Sequence, residues 1–270
     1  MNLRLEPMPD NPTRAAICFG PVVLAGELGS EGIVPPMPYA VDQGEYFTFL
    51  PPEMPILLAA GRAVDEWIEP VPDRPLTFRT KGVGQPQAIA LVAFYKMQPQ
   101  RYSIYWDIIT QEQWTERQAQ KEQNIRRAQE LTASTLDSIA IGNAESERAH
   151  NLNGENTSFG AFLNRSYRHA ENGGWFSYDL NVPPEQPVKL LCTFWGSDGG
   201  PRLFDILINN TCIATQRLNY DHPNEFFNVV HSLSPEILGA RTTLTVRFQA
   251  HPGRMAGGIF DLRVLKSDDQ

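Results

Sequence analysis

Cysteine is scarce. Cys18, Cys192 and Cys212 are odd in number, widely spaced and form no C-x-x-C pair. That spacing argues against a disulfide framework and a zinc ribbon, and predicts buried, inert thiols. Charge is sparse as well: 20% of the 270 residues are charged and the net charge is -8. A surface that neutralises phosphates needs the opposite balance, which argues against nucleic acid as a partner. Long apolar runs are missing too. The best one, Ile17 to Ala25, contains a proline and is far shorter than the ~20 residues of a membrane-spanning helix, so no membrane partner is expected. The leading MNLRLEPMPDNP is too polar for a secretory signal, which predicts a cytoplasmic location for the chain as written.

Enzyme motifs are also missing. No G-x-S-x-G elbow occurs, since 196-199 reads GSDG, and neither a phosphate loop nor a G-x-G-x-x-G turn is found between a strand and a helix. His150, His169 and His251 lack the H-x-x-x-H spacing of a zinc-binding helix, so no metal or cofactor is implied. Sequons at Asn156, Asn164 and Asn209 carry weight only in a secreted chain.

What the sequence does contain is alternation. In 242-250, TTLTVRFQA, Leu244, Val246, Phe248 and Ala250 fall on one face and Thr243, Thr245, Arg247 and Gln249 on the other. That period predicts a half-buried antiparallel strand. The same rule holds in 203-208, LFDILI, and in 211-216, TCIATQ, with Asn209-Asn210 between them. Asparagine tolerates positive φ, so the pair predicts a two-residue hairpin turn. Strands are expected at 174-180 and 188-195 as well, separated by Pro183, Pro184 and Pro187. Short strands with a turn signal every dozen residues indicate a sandwich or jelly roll.

The runs GGWFSYDL (173-180), RLFDILINNTCIATQ (202-216), EFFNV (225-229) and TVRFQAHPGRMAGGIFDLRVL (245-265) resemble the last domain of glycoside hydrolase family 127, the β-L-arabinofuranosidase family. The resemblance extends upstream through NPTRAAICFGPVVLAGELG (11-29), WIEPVPDRPLTFRTKGVGQP (67-86), RYSIYWD (101-107) and ERAHNLNGENTSFG (147-160), nearly the whole chain. In that family an N-terminal helical barrel performs hydrolysis, with a zinc-bound cysteine attacking the sugar and a glutamate assisting. The resemblance implies that this chain begins after the barrel, so it brings no catalytic residue.

The expected fold class is all-β, with β-sandwich or jelly-roll modules joined by one linker helix. Residues 1-60 read as a partial sandwich, the tail of a middle domain by that resemblance. They hold strands near 3-6 and 15-25, then a passage rich in proline (Pro35, Pro36, Pro38, Pro51, Pro52, Pro55) that favours extended connections. Residues 61-110 read as a small β-module with strands near 75-80, 88-95 and 101-107, whose limited core packs on its neighbours through Trp67, Tyr105 and Trp106. Residues 111-135 are the helix. Thr110 with Gln113 forms a capping box, glycine and proline are absent, and Trp114, Ile125 and Leu131 are too sparse for a buried stripe. Residues 136-270 form the C-terminal jelly roll.

Carbohydrate recognition needs flat rings for sugar C–H faces and fixed polar groups for hydroxyls. Trp175, Tyr178 and Trp195, with Asp198, Arg202 and Asn224, supply those types. Rings in alternating strands are more often sandwich core than a ligand platform. Alternation turns Phe176, Tyr178 and Leu180 inward and leaves Trp175 as the exposed platform. Two polar stretches add candidates. HNLNGENTSFG (150-160) reads as a loop offering His150, Glu155 and Asn156 to a ligand or to its own backbone, and HPGRMAGG (251-258) as a tight loop carrying His251 and Arg254 before a closing strand at 259-265.

Three functions follow in order. The first is a non-catalytic accessory protein related to family 127 that binds carbohydrate. The second is a structural spacer that packs on a catalytic barrel chain or self-associates through its N-terminal strands, whose edges invite pairing. The third is a stand-alone glycoside hydrolase acting on plant-type glycans, which needs two carboxylates across a cleft, drawn from residues such as Glu155, Asp179, Asp198, Asp205 and Glu225.

Overall fold

The computed structural model describes residues 1–30, 54–98 and 100–267. The chain divides into two compact units, Met1–Asn124 and Ile125–Gln270. Most of the proline-rich passage, from Pro35 to Pro52, lies outside the described residues.

Among the described residues, the first unit has ten short strands. They are β1 (Leu3–Pro7), β2 (Arg14–Phe19), β3 (Val22–Glu27), β4 (Ile56–Leu57), β5 (Ile68–Pro70), β6 (Thr77–Thr80), β7 (Gly84–Gln85), β8 (Ala90–Ala93), β9 (Tyr102–Ser103) and β10 (Tyr105–Asp107). Eight of them form one sheet in the order β1-β2-β3-β8-β6-β5, with β10 joined to β2 and β9 to β3. The pairing of β3 with β8, Leu24 opposite Ala93, sews residues 1-60 to 61-110. The structure therefore joins the small module to its neighbour by strand pairing within one sheet, where the sequence implies only the packing of two modules. Their apolar faces share one core of Ile17, Leu24, Trp67, Leu91 and Trp106. A Cβ on Gly26 would fall 2.3 Å from the Trp106 ring, so the glycine is what lets that indole lie against the strand. Tyr105, expected beside the two tryptophans, points out and is 45% exposed. Successive strand residues face opposite ways, so Trp106 inside requires Tyr105 outside.

The helix α1 (Gln111–Ser134) buries none of its side chains. Its capping box is formed as the sequence implies: the Thr110 N–H donates to Gln113 Oε1 at 3.0 Å and the Gln113 N–H to Thr110 Oγ1 at 3.2 Å. The boundary between the two units falls within this helix, at Asn124 and Ile125.

The second unit is a β-sandwich. Its strands are β11 (Thr135–Ile139), β12 (Asn153–Phe162), β13 (Arg165–Asn181), β14 (Val188–Trp195), β15 (Leu203–Ile208), β16 (Thr211–Arg217), β17 (Phe226–Leu233), β18 (Thr243–Ala250), β19 (Ala256–Ile259) and β20 (Asp261–Lys266), with short helices α2 (Ala144–Ala149) and α3 (Pro235–Leu238). A four-stranded sheet runs β11-β20-β14-β17 and a six-stranded one β12-β13-β18-β15-β16, with β19 beside β13. Alternation is kept: Leu244, Val246, Phe248 and Ala250 are buried and their neighbours are not. The two inner faces meet around Phe176, Phe194, Phe204 and Phe248, with Phe176 stacked on Phe248 at 5.0 Å. Burying each such ring contributes roughly 1.5–3 kcal/mol. Asn209 and Asn210 form the expected turn with φ of 48° and 69°.

Several expectations are corrected here. Residues 153–160 of the stretch expected to be a polar loop belong to β12, because their backbone pairs with β13. The last residues of the expected loop, 256–258, are part of strand β19, with Ala170 opposite Ala256, and the expected closing strand 259-265 is divided between β19 and β20. Cys18 and Cys192 are buried, but Cys212, on edge strand β16, is exposed. Burial pushes the Cys192 thiol well up.

Candidate functional site

At one end of the sandwich, the loop that follows β14 and the hairpin tip between β12 and β13 flank a half-open pocket of about 200 Å³. Its walls are Ala161, Phe162, Tyr167, Trp195, Ser197, Asp198, Arg202 and Phe260. Phe162 arrives there because Leu163 and Asn164, with φ of 47° and 59°, turn the hairpin tightly. Trp195 is the last residue of β14, where its outward register places it opposite Phe226. The rings touch in sequence: Phe162 to Trp195 at 5.1 Å, Trp195 to Phe226 at 4.9 Å, Phe226 to Phe260 at 4.9 Å, and Phe260 to Tyr167 at 5.2 Å. Arg165 lies over Phe226 at 4.3 Å. Offset and edge-on rings of this kind hold each other in place, which pre-forms the wall.

The polar side of the pocket comes from a glycine-containing loop, residues 196–202. Gly196 and Gly199 are required by close approach: a Cβ would lie 1.8 Å from the His222 carbonyl oxygen and 2.2 Å from the Tyr220 ring, respectively. Backbone bonds from Tyr220 N–H to Asp198 O at 2.9 Å and from Gly196 N–H to Glu225 O at 2.8 Å tie this loop to residues 218–225. Tyr220 is 63% exposed beside the pocket. Arg202 Nε meets Asp198 Oδ2 at 3.3 Å, and Arg202 Nη1 donates to the Gly257 carbonyl at 2.7 Å. Burial holds the Asp198 carboxyl above the usual aspartate range, against the pull of Arg202 and His169. A chain end or small ligand entering here meets flat apolar faces, one carboxylate with spare acceptor capacity, and the Ser197 hydroxyl. That is the donor set for sugar hydroxyls and C–H faces.

Trp195, Asp198 and Arg202 therefore come together, although 196–202 separates them by a turn in the chain. Glu155, Asn156, Trp175 and His251 do not line this pocket. Glu155 and Trp175 are register partners on β12 and β13, and the Arg247 guanidinium covers the Trp175 ring at 4.0 Å, so this ring is half-buried rather than an open platform. Asn156 is exposed with φ of 53°, at the bulge in β12. His251 Nε2 pairs with Asp205 Oδ1 at 2.9 Å. Asn224 supports the pocket only through its backbone N–H, which donates to Ser197 Oγ at 2.8 Å. Tyr178 is fully buried in a network with Glu147 and Arg168. Two of the acids considered for hydrolysis serve the sheet: Asp179 accepts from Thr245 Oγ1 and Asp205 from Thr215 Oγ1, each at 2.6 Å.

Sequence reasoning missed Phe162, Tyr167 and Phe260. The Leu163-Asn164 turn was the available signal for Phe162, since asparagine marks a left-handed residue. Nothing local marks Tyr167, on β13, or Phe260, in the link between β19 and β20 where the chain passes from one sheet to the other.

The fold and pocket define a two-unit all-β protein whose second unit is a β-sandwich with an aromatic-walled end pocket. Residues 130–265 match a family of unknown function (DUF6805), and the chain belongs to that family. Residues 4–108 match a domain of unknown function, DUF4986. No curated protein matches the chain. Among solved structures, it is similar to a family 35 carbohydrate binding module from Clostridium thermocellum, at 14% identity and TM-score 0.34, over 43% of this chain and 93% of that one. It is similar to a carbohydrate binding module from Cellvibrio mixtus lichenase 5A in complex with cellotriose, at 13% identity and TM-score 0.35, over 49% of this chain and 98% of that one. An exo-beta-1,3-galactanase from Phanerochaete chrysosporium with galactose is similar at 14% identity and TM-score 0.35, over 47% of this chain and 28% of that one.

Proposed function

We propose that the sandwich formed by β11 to β20 binds carbohydrate and that the chain is a non-catalytic accessory protein related to family 127 glycoside hydrolases. The observation that carries the binding reading is the convergence of four aromatic rings with Asp198, Arg202 and Ser197 around one small pocket. Rings stack on sugar C–H faces, and charged acceptors and donors hold hydroxyls more firmly than neutral ones. The relation to family 127 rests on the sequence runs quoted above.

The test is a binding and turnover screen of the purified chain against arabinose-containing oligosaccharides and common plant polysaccharides. Saturable binding without product, lost in Trp195→Ala and kept in Trp175→Ala, is the expected result. Loss in Trp175→Ala alone would move the site to the outer face of the six-stranded sheet. Product release would replace the accessory reading with a hydrolase.

A second reading concerns the first unit, for which we infer docking on a catalytic barrel chain or on a second copy. Among the described residues strand β1 is an edge strand, and a groove of about 1040 Å³ beside it is walled by Leu3, Phe19, Ile68 and Phe78. Edges of this kind recruit partners unless they are covered. Light scattering of the chain and of Leu5→Lys tests it: a dimer that the substitution abolishes supports self-pairing. A monomer that also fails to bind a family 127 barrel would end this reading.

A further inference from the structure

The pocket's size and its single carboxylate say more about the ligand than that it is a sugar, and the step taken here rests on the carbohydrate reading. At about 200 Å³ the pocket is smaller than the ~300–1,000 Å³ clefts that enclose drug-sized ligands. Phe162 closes one side through Trp195, and the loop carrying Asp198 is braced by Tyr220. One sugar ring fills such a space; a run of several does not.

The charges are also one-sided. Arg202 is largely engaged, with Nε on Asp198 and Nη1 on the Gly257 carbonyl, and its side chain is 17% exposed. Asp198 is 20% exposed, and its one ion-pair contact, to Arg202, is long at 3.3 Å. It is held protonated more readily than an ordinary aspartate because burial is incompletely compensated. Such a carboxylate is stabilised by hydroxyl donors, and two adjacent hydroxyls match its two oxygens. A second carboxylate on the ligand would meet it at close range in a poorly solvated site.

We propose that the pocket captures a single neutral sugar residue at a glycan chain end, with two adjacent hydroxyls donated to the Asp198 carboxylate, and that it rejects uronic acids. The sandwich would then recognise chain ends rather than chain interiors.

Titration calorimetry of the full chain tests this with methyl glycosides of arabinose, galactose and glucose, with galacturonic and glucuronic acids, and with the matching oligosaccharides of two to six units. The expected result is one neutral glycoside bound within about threefold of its oligosaccharides, with its uronic acid weaker by about tenfold or more. Asp198→Asn should weaken binding by at least about tenfold, the usual worth of a charged hydrogen bond, with a thermal melt confirming that the variant is folded. Affinity that climbs about tenfold or more from one to four units, or equal binding of the uronic acid, would sink the chain-end inference while leaving carbohydrate binding intact. No binding of any sugar would remove both.

Discussion

Arg168 and Glu147 face each other through two parallel hydrogen bonds, Nε to Oε1 at 2.8 Å and Nη2 to Oε2 at 2.7 Å, with both side chains only 6% exposed. Tyr178 adds a third bond from its hydroxyl to Glu147 Oε1 at 2.7 Å. The pair fastens α2 to β13, so a six-residue helix with little core of its own is held on the sandwich. Removing one partner strands a buried charge. Glu147→Ala is therefore expected to cost about 3–5 kcal/mol in urea unfolding, and Glu147→Ala combined with Arg168→Met to recover part of it. A loss under about 1 kcal/mol for the single variant would mean that water reaches the guanidinium.

The same pair sets the acid limit of the second unit. Burial raises the Glu147 carboxyl, but Arg168, Tyr178 and the Gly142 N–H outweigh it, and the folded value lies below the ordinary glutamate one. Asp137 is depressed likewise, by the Asn181 amide and His150. A depressed folded value adds stability above the unfolded value and loses it as pH falls through the folded one. Stability is expected to be level near neutrality and to decline below about pH 4. Glu147→Gln should show a shallower decline, measured as the change in urea midpoint with pH.

Asp198 has the opposite sign. Its folded value is raised, so ionising it costs stability as pH rises through that value, and below the ordinary aspartate range of about 3.9 the cost vanishes. Asp198→Asn is expected to melt higher than the parent at neutral pH and at the same temperature in acid, while losing ligand. Equal melting at neutral pH would show the carboxylate to be fully compensated by Arg202 and His169.

The turn at Asn209-Asn210 offers a backbone test. Asn210 has φ of 69°, a conformation that costs a β-branched residue about 1–2 kcal/mol. Asn210→Val should destabilise the second unit by that amount and Asn210→Gly should leave it unchanged or slightly steadier. Equal stability of Val and Gly at this position would mean that the turn rearranges.

Much of the fold is legible because its causes are local. Leu244, Val246, Phe248 and Ala250 alternate by two, and two asparagines stand where the chain must turn, so β15, β16 and β18 follow from neighbours in sequence. The Thr110–Gln113 box is equally local. The merger of residues 1-60 with 61-110 is not, since it depends on β3 finding β8 some sixty residues later. The polar, glycine-containing residues 153–160 carry no apolar alternation to mark a strand, and β12 owes its strand character to pairing with β13.

The candidate site divides along the same line. Trp195, Asp198 and Arg202 share one short segment, and their residue types already point to sugar chemistry. Phe162, Tyr167 and Phe260 join them only after β13 and β20 enter different sheets of the sandwich. The sequence by itself determined the all-β class, the hairpin turn and the helix start, because each is decided within a few residues by φ preference, side-chain period or a cap. Tertiary structure alone decided which rings form a pocket, which cover one another as Arg247 covers Trp175, and which acid is left with unmet acceptor capacity. Those depend on strand register and on the packing of two sheets, where contact partners lie far apart along the chain.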